Sequence, residues 1–297
     1  MIESTIKTIP LLSKLASSEV QLQKLAGSTN DNYLITLTTT IPEKKYVLRV
    51  PRESTNTFIN REDESHNANI AHQLNIAPTC LWRERDSEGK LTGASLTEFI
   101  ENRTPCTAEE LQKPNKLKSI AKALIILHQY KQQKFKGVLN KQRIAKLLKN
   151  YFLLCDKNQQ KILASDYKKA QQALDNISDE TRPYVPSHID LYPGNILLQN
   201  NNLKTVLLNT TEAHPPTFTC PNLCLIDWEY SAMASPYWDI ATVLNSASLD
   251  ISKSKAAQGF LQSVFNNDHS DKDIECVGQY QFIIKTFNDC WQAAFSK

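Results

Sequence analysis

A change of residue periodicity near residue 101 constrains this chain more than any other feature. Before it, short runs rich in β-branched and aromatic residues alternate with turn signals. Val20 to Leu25 is followed by the turn-rich Gly27-Ser28-Thr29-Asn30. Tyr33 to Thr40 and Tyr46 to Val50 read as strands joined through Ile41-Pro42-Glu43-Lys44, with Pro51 as a stop. Leu81 to Arg85 and Ala94 to Ile100 read as two more strands around Asp86-Ser87-Glu88-Gly89. One helical segment interrupts the series, from Phe58 to Leu74, with Ile70, Ala71 and Leu74 on one face and Asn75-Ile76-Ala77-Pro78 ending it. The first hundred residues thus predict an antiparallel sheet with one inserted helix.

After Glu101 the pattern becomes helical. Asn102 to Cys106 reads as a linker, and Leu117, Ile120, Ala121, Leu124 and His128 share one helical face. Lys141 to Leu154 and Ile162 to Leu174 are further helices, short strands return at Ile196 to Leu198 and Leu223 to Ile226, and Trp238 to Phe295 is mostly helical. The expectation is an α+β fold of two lobes, residues 1–100 and 101–297, with a ligand cleft where they meet.

Composition narrows the function. A net charge of +3 over 297 residues, with no sustained basic stripe, argues against a nucleic-acid partner. No run approaches the roughly 20 apolar residues of a membrane span, and Met1-Ile2-Glu3-Ser4-Thr5 carries no secretory pattern. A cytoplasmic protein without membrane insertion is expected. Its seven cysteines then read as free thiols. Cys220 and Cys224, with His214 nearby, lack the second ligand pair of a zinc site.

The chemistry concentrates in His188-Ile189-Asp190-Leu191-Tyr192-Pro193-Gly194-Asn195 and in Asp227 after apolar Leu225-Ile226. Phosphoryl transfer needs a carboxylate beside the attacking hydroxyl and hard oxygen ligands for Mg²⁺ at the phosphates. The spacing H-x-D-x-x-x-x-N, followed by an aspartate at a strand end, supplies both.

On these residues the chain resembles the choline kinase and aminoglycoside phosphotransferase superfamily, which has the bilobal protein-kinase-like fold, with particular likeness to bacterial choline kinases and thiamine kinases. Supporting blocks are Gly27 to Tyr33, Tyr46 to Pro51, Phe58 to Glu64, Thr97 to Ile100, His188 to Asn195, Ile226 to Ser231 and Trp238 to Ala241. The resemblance implies ATP and Mg²⁺ as cofactors and a small-molecule acceptor. Asp190 would be the catalytic base, and Asn195 and Asp227 the metal ligands. Arg49 would grip phosphate in place of a lysine, fixed by Glu64. Ser28, Thr29, Asn30 and Asn32 would lie over the phosphates, and Glu98, Phe99 and Ile100 would face adenine. His188 and Asp239 would support the catalytic loop.

For a cationic acceptor such as choline, aromatic faces and carboxylates are needed. The resemblance points to Glu229, Tyr230 and Trp291, with Trp228, Tyr237, Trp238 and Phe295 as further candidates. Where choline kinases often carry a glutamate, seven residues after Asp239, this chain has Ser246, and Asp250 is the nearest carboxylate. Thr205 to Pro221 is a longer link than usual. Ethanolamine, thiamine and aminoglycosides are alternative acceptors. An inactive kinase-fold binding module is the reading from another class; the presence of Asp190, Asn195 and Asp227 opposes it.

Overall fold

Within the first sheet, burial alternates with a period of 2 around Tyr46 and Leu48. The computed structural model describes residues 2–25, 27, 30–52, 59–177, 182–199 and 223–295. Ser28, Thr29, Phe58, the 205–221 link, His214 and Cys220 lie outside them.

A short helix α1 (Ile2–Thr8) precedes strands β1 (Val20–Leu25), β2 (Asn30–Leu37) and β3 (Lys44–Pro51). Helix α2 (Arg61–Gln73) follows, then β4 (Cys80–Arg85) and β5 (Leu91–Glu98). These strands form one antiparallel sheet in the order β1-β2-β3-β5-β4. Its own core gathers Ile35, Leu48 and Leu96 with Ile9 and Leu12, which follow α1.

Residues 102–106, expected as a linker, instead contain a strand, β6 (Arg103–Pro105). Proline is tolerated there because it ends the strand. The helical part then runs through α3 (Ala108–Leu111), α4 (Pro114–His128), α5 (Lys141–Leu154) and α6 (Lys157–Asn176), with a two-residue strand β7 (Val138–Leu139) before α5. Proline at the first position of α4 suits a missing intrahelical N–H. Short strands β8 (Val185–Ser187), β9 (Ile196–Gln199), β10 (Leu223–Leu225) and β11 (Ala232–Ala234) precede α7 (Pro236–Ser246), α8 (Lys255–Val264) and α9 (Asp271–Phe295). They make two small sheets, β10-β9-β6 and β7-β11-β8.

One helix crosses the division of the chain. Although α2 lies in sequence among the strands of the first sheet, Ile70 and Ala71 are buried in the core of the helical part. The Asn67 side chain, fully buried, donates to the Lys136 carbonyl (3.0 Å) and the Ser231 carbonyl (2.9 Å) and accepts from Lys136 N–H (2.8 Å). The Asn60 side chain caps the helix by accepting from the N–H groups of Glu62 and Asp63.

Candidate active site

Strand pairing brings the reacting residues together. In the antiparallel β9–β10 pair Leu225 lies opposite Ile196, and Ile226 N–H donates to the Asn195 carbonyl at 3.0 Å. Asn195 and Asp227 therefore emerge at the same sheet end. Asn195 Nδ2 donates to Asp190 Oδ2 and to the Asp190 carbonyl, both at 2.9 Å. With its nitrogen so engaged, the amide oxygen is the Asn195 atom that could ligate a hard cation.

Two residues here have left-handed backbone: Ile189 at φ 75° and Asp227 at φ 64°. A β-branched residue adopts that region only when its surroundings impose it. For Ile189 the imposing groups are visible. Asp239, fully buried, accepts from Ile189 N–H (2.8 Å), His188 N–H (3.0 Å) and His128 Nε2 (3.2 Å). Trp238 Nε1 donates to the Ile189 carbonyl at 2.9 Å. His188 is buried too. Its Nε2 donates to the Ile226 carbonyl (2.9 Å) and its Nδ1 accepts from Asp190 N–H (3.3 Å), linking the loop to the residue between β10 and Asp227. Burial pushes the His188 imidazole down to about 4 against the pull of Asp239, so it stays neutral.

The carboxylates are crowded. Burial, followed by the charge of Glu229, raises Asp190 to about 7, while the Asn195 hydrogen bond works the other way. Asp227 is raised by burial, then by Glu229 and Asp190, against the pull of Arg49. Its Oδ1 is buried without a hydrogen-bond partner, 3.6 Å from Arg49 Nη1. An unpartnered buried oxygen among like charges is suited to a cation. Among the described residues no group of three or more His, Cys, Asp or Glu forms a metal cage. Mg²⁺ does not need one, since it keeps waters and phosphate oxygens as ligands.

Facing this end is a cluster of charges from the first sheet and α2. Arg49 on β3 pairs with Glu64 on α2 and donates to the Gly93 carbonyl from Nε (3.3 Å) and Nη2 (3.1 Å). Asn32, opposite Arg49 in the β2–β3 pair, lies beside Gly27, where a Cβ would fall 2.4 Å from the Asn30 carbonyl oxygen and 2.8 Å from Asn32 Nδ2. Glycine is required at that turn by close approach. Asn30, expected over the phosphates, is buried and donates from Nδ2 to Glu229 Oε2 at 3.1 Å. Arg61, which lies in the Phe58 to Glu64 block but was given no role there, is also buried and contacts both Glu64 and Glu229. In the segment expected at adenine, Glu98 N–H donates to the Thr79 carbonyl and Phe99 N–H to the Lys45 carbonyl; Ile100 follows directly.

A cavity of about 430 Å³ opens beside Asp190, Asn195, Asp227 and Glu229. Tyr230, Trp238 and Trp291 line it. Tyr192, from within the His188 to Asn195 motif, also lines it, as do Tyr151 and Phe287, which no local motif marked. Trp228 packs instead on His188 and Phe135, and Tyr237 donates its hydroxyl to Asp273 at 2.6 Å. Phe295 is half exposed against Tyr151 and Trp291. Neither Ser246 nor Asp250 lines the cavity; Asp250 accepts from Ser252 and pairs with Lys253 at the surface.

The fold matches solved structures over nearly its whole length. Choline kinase LicA from Streptococcus pneumoniae superposes with a TM-score of 0.70 at 23% identity, covering 99% of this chain and 89% of that one. A choline/ethanolamine kinase family protein from Mesorhizobium loti gives 0.67 at 17% identity, covering 98% and 83%. Among curated proteins, LicA of Haemophilus influenzae is 27% identical over 264 residues, covering 85% of this chain. The chain spans 65% of that relative's length. The choline/ethanolamine kinase family itself matches residues 22–275, which include nearly all of the first sheet, His188 to Asn195, Asp227 and most of the helical part, and the chain belongs to that family.

Proposed function

We propose that this protein transfers the γ-phosphate of ATP to the hydroxyl of choline. The observation that carries the proposal is the composition of one cavity. Asp190, Asn195 and Asp227 line it together with the aromatic side chains of Tyr151, Phe287 and Trp291.

The chemistry follows from this chain's own groups. An acceptor hydroxyl hydrogen-bonded to Asp190 gives its proton to that carboxylate as its oxygen bonds to the γ-phosphorus. The bond to the bridging oxygen breaks and ADP carries away the electron pair. Arg49 grips phosphate oxygens, directed by Glu64. Bound Mg²⁺, held by Asn195 and Asp227, supplies charge neutralisation at the phosphates. The N–H groups of Glu98 and Phe99 are engaged within the sheet, so adenine is read by carbonyls of that segment and by Ile100. Asp239 and His188 hold the loop that presents Asp190.

Choline is favoured over ethanolamine by the chemistry of the lining. Its carboxylates among the described residues are Asp190, Asp227 and Glu229, the first two assigned here to the hydroxyl and the metal. A quaternary ammonium has no N–H to satisfy and draws on aromatic faces beside the one remaining carboxylate, whereas a primary ammonium also needs acceptors for its three N–H groups. The same small number of uncommitted carboxylates disfavours aminoglycosides. The test is ADP release with choline, ethanolamine, thiamine and an aminoglycoside. Choline is expected to give the largest kcat/KM, and turnover of ethanolamine alone would overturn the acceptor assignment.

A further inference from the structure

Arg61 breaks three local rules at once. It is the first residue of α2, where the helix dipole disfavours a cation, and its neighbours Glu62, Asp63 and Glu64 follow the opposite preference. It is 7% exposed, so a full charge is removed from water. Its space exists only because residue 93, inside strand β5, is glycine at φ 97°; a Cβ there would stand 2.4 Å from Arg61 Nε. Glycine weakens a strand interior. A chain that breaks several rules at one point does so where function compensates.

The contacts show what the buried guanidinium accomplishes. Arg61 Nη1 donates to Glu64 Oε2 at 2.8 Å and to Glu229 Oε2 at 3.2 Å. Glu64 is the partner of Arg49. Glu229 stands two residues after Asp227, and the same oxygen receives Asn30 Nδ2 from the first strand pair and lies 3.9 Å from Arg49 Nη1. One nitrogen thus joins the carboxylate that aims Arg49 to the carboxylate beside the metal-binding end of β10. The two elements are 165 residues apart between Glu64 and Glu229; the Asn67–Ser231 hydrogen bond fastens them at a distance from the carboxylates, and Arg61 joins the carboxylates themselves.

We infer that Arg61 is a positioning residue that sets the separation between the Arg49 guanidinium and Asp227, and so registers the phosphate grip against the metal site. Glu229, engaged by Arg61 and Asn30, is part of this register, in addition to lining the cavity. The inference rests on the kinase proposal for its nucleotide but not for its acceptor.

Arg61→Met, Arg61→Lys, Glu229→Gln and the Arg61→Met/Glu229→Gln double variant of the full chain test it. Binding of a non-hydrolysable ATP analogue is measured by calorimetry with Mg²⁺ and with EDTA, beside kcat/KM for ATP and the urea midpoint. Arg61→Met is expected to weaken Mg²⁺-dependent binding at least tenfold and metal-free binding less than threefold. Arg61→Lys, which keeps the charge, should recover most of the loss. Glu229→Gln should add less than twofold in the Met background although it weakens binding at least fivefold alone. Met binding within twofold of wild type, or effects that multiply, would overturn the inference. If the Met variant does not fold, Glu229→Gln decides: unchanged Mg²⁺-dependent binding overturns it. Wild type that binds the analogue yet phosphorylates no amino alcohol would refute the kinase proposal and leave this one intact.

Discussion

Asp239→Ala is the most informative single change. In the wild type one buried carboxylate accepts from two main-chain N–H groups, at 2.8 and 3.0 Å, and from His128 at 3.2 Å. Truncation leaves these donors without an acceptor in a place that water does not reach. A buried group deprived of its partner costs about 1–3 kcal/mol. Two main-chain donors and one imidazole therefore put the loss at roughly 5 kcal/mol, a large fraction of the 5–15 kcal/mol typical of a folded domain. The same carboxylate holds Ile189 at φ 75°, so the loop should relax and withdraw Asp190. Urea unfolding read by tryptophan fluorescence measures the first effect, and steady-state ADP release measures the second. The variant is expected to lose about 5 kcal/mol and at least 100-fold in kcat. Asp239→Asn, which keeps one acceptor oxygen, should lose about half the stability. Stability within about 1 kcal/mol of wild type would refute the argument, and so would a full stability loss with unchanged kcat.

Other expectations follow from named contacts. Asp190→Ala should abolish transfer while Mg²⁺-ATP still raises the melting temperature; Asp227→Ala should lose that Mg²⁺-dependent shift, and a shift equal to wild type would remove Asp227 from the metal site. Gly93→Ala forces a Cβ against Arg61 at a left-handed position, and should destabilise by about 3 kcal/mol in urea; a change under 1 would show that Arg61 yields freely. Burial alone would raise the Asp273 carboxyl, but Arg182, the Tyr237 hydroxyl and Ser270 outweigh it and hold it well below the usual carboxylate range. Its stabilisation is then complete above the unfolded value of about 4 and fades as pH falls through the lower folded one. Wild type and Asp273→Asn should differ most in urea midpoint above about pH 5 and converge in acid, where a constant gap would contradict the assignment.

The division into sheet and helices was legible because long segments carry clear periods. Helix α5 was read with its observed bounds, Lys141–Leu154. Strands of two or three residues, such as β7, β8 and β11, have too few side chains to show a period of 2, and Pro105 made β6 read as a linker. Helix α1 was missed for a related reason: its seven residues place only Ile2 and Ile6 on the face that packs, too few to show a period. At the candidate site, the grouping of Asp190, Asn195 and Asp227 was legible because the His188 to Asn195 loop and its strand pair are local. Tyr151 on α5 and Phe287 on α9 reach the cavity only through helix packing, which no local spacing encodes. Arg61 was hidden differently. A charged residue at a helix start reads as solvated until Gly93 is seen to make room for it.

The placement of α2 also bears on how such an enzyme can be controlled. In protein kinases, positioning of the helix that carries the paired glutamate governs whether the ion pair at the phosphates forms. Here that helix is fastened to the larger lobe, through Ile70 and Ala71 in its core and through Asn67 to Lys136 and Ser231. Turning it outward would expose apolar surface and strip three hydrogen bonds in one step. The Arg49–Glu64 pair is therefore held in place by the packing of α2 itself, and displacing that helix would here cost part of the core.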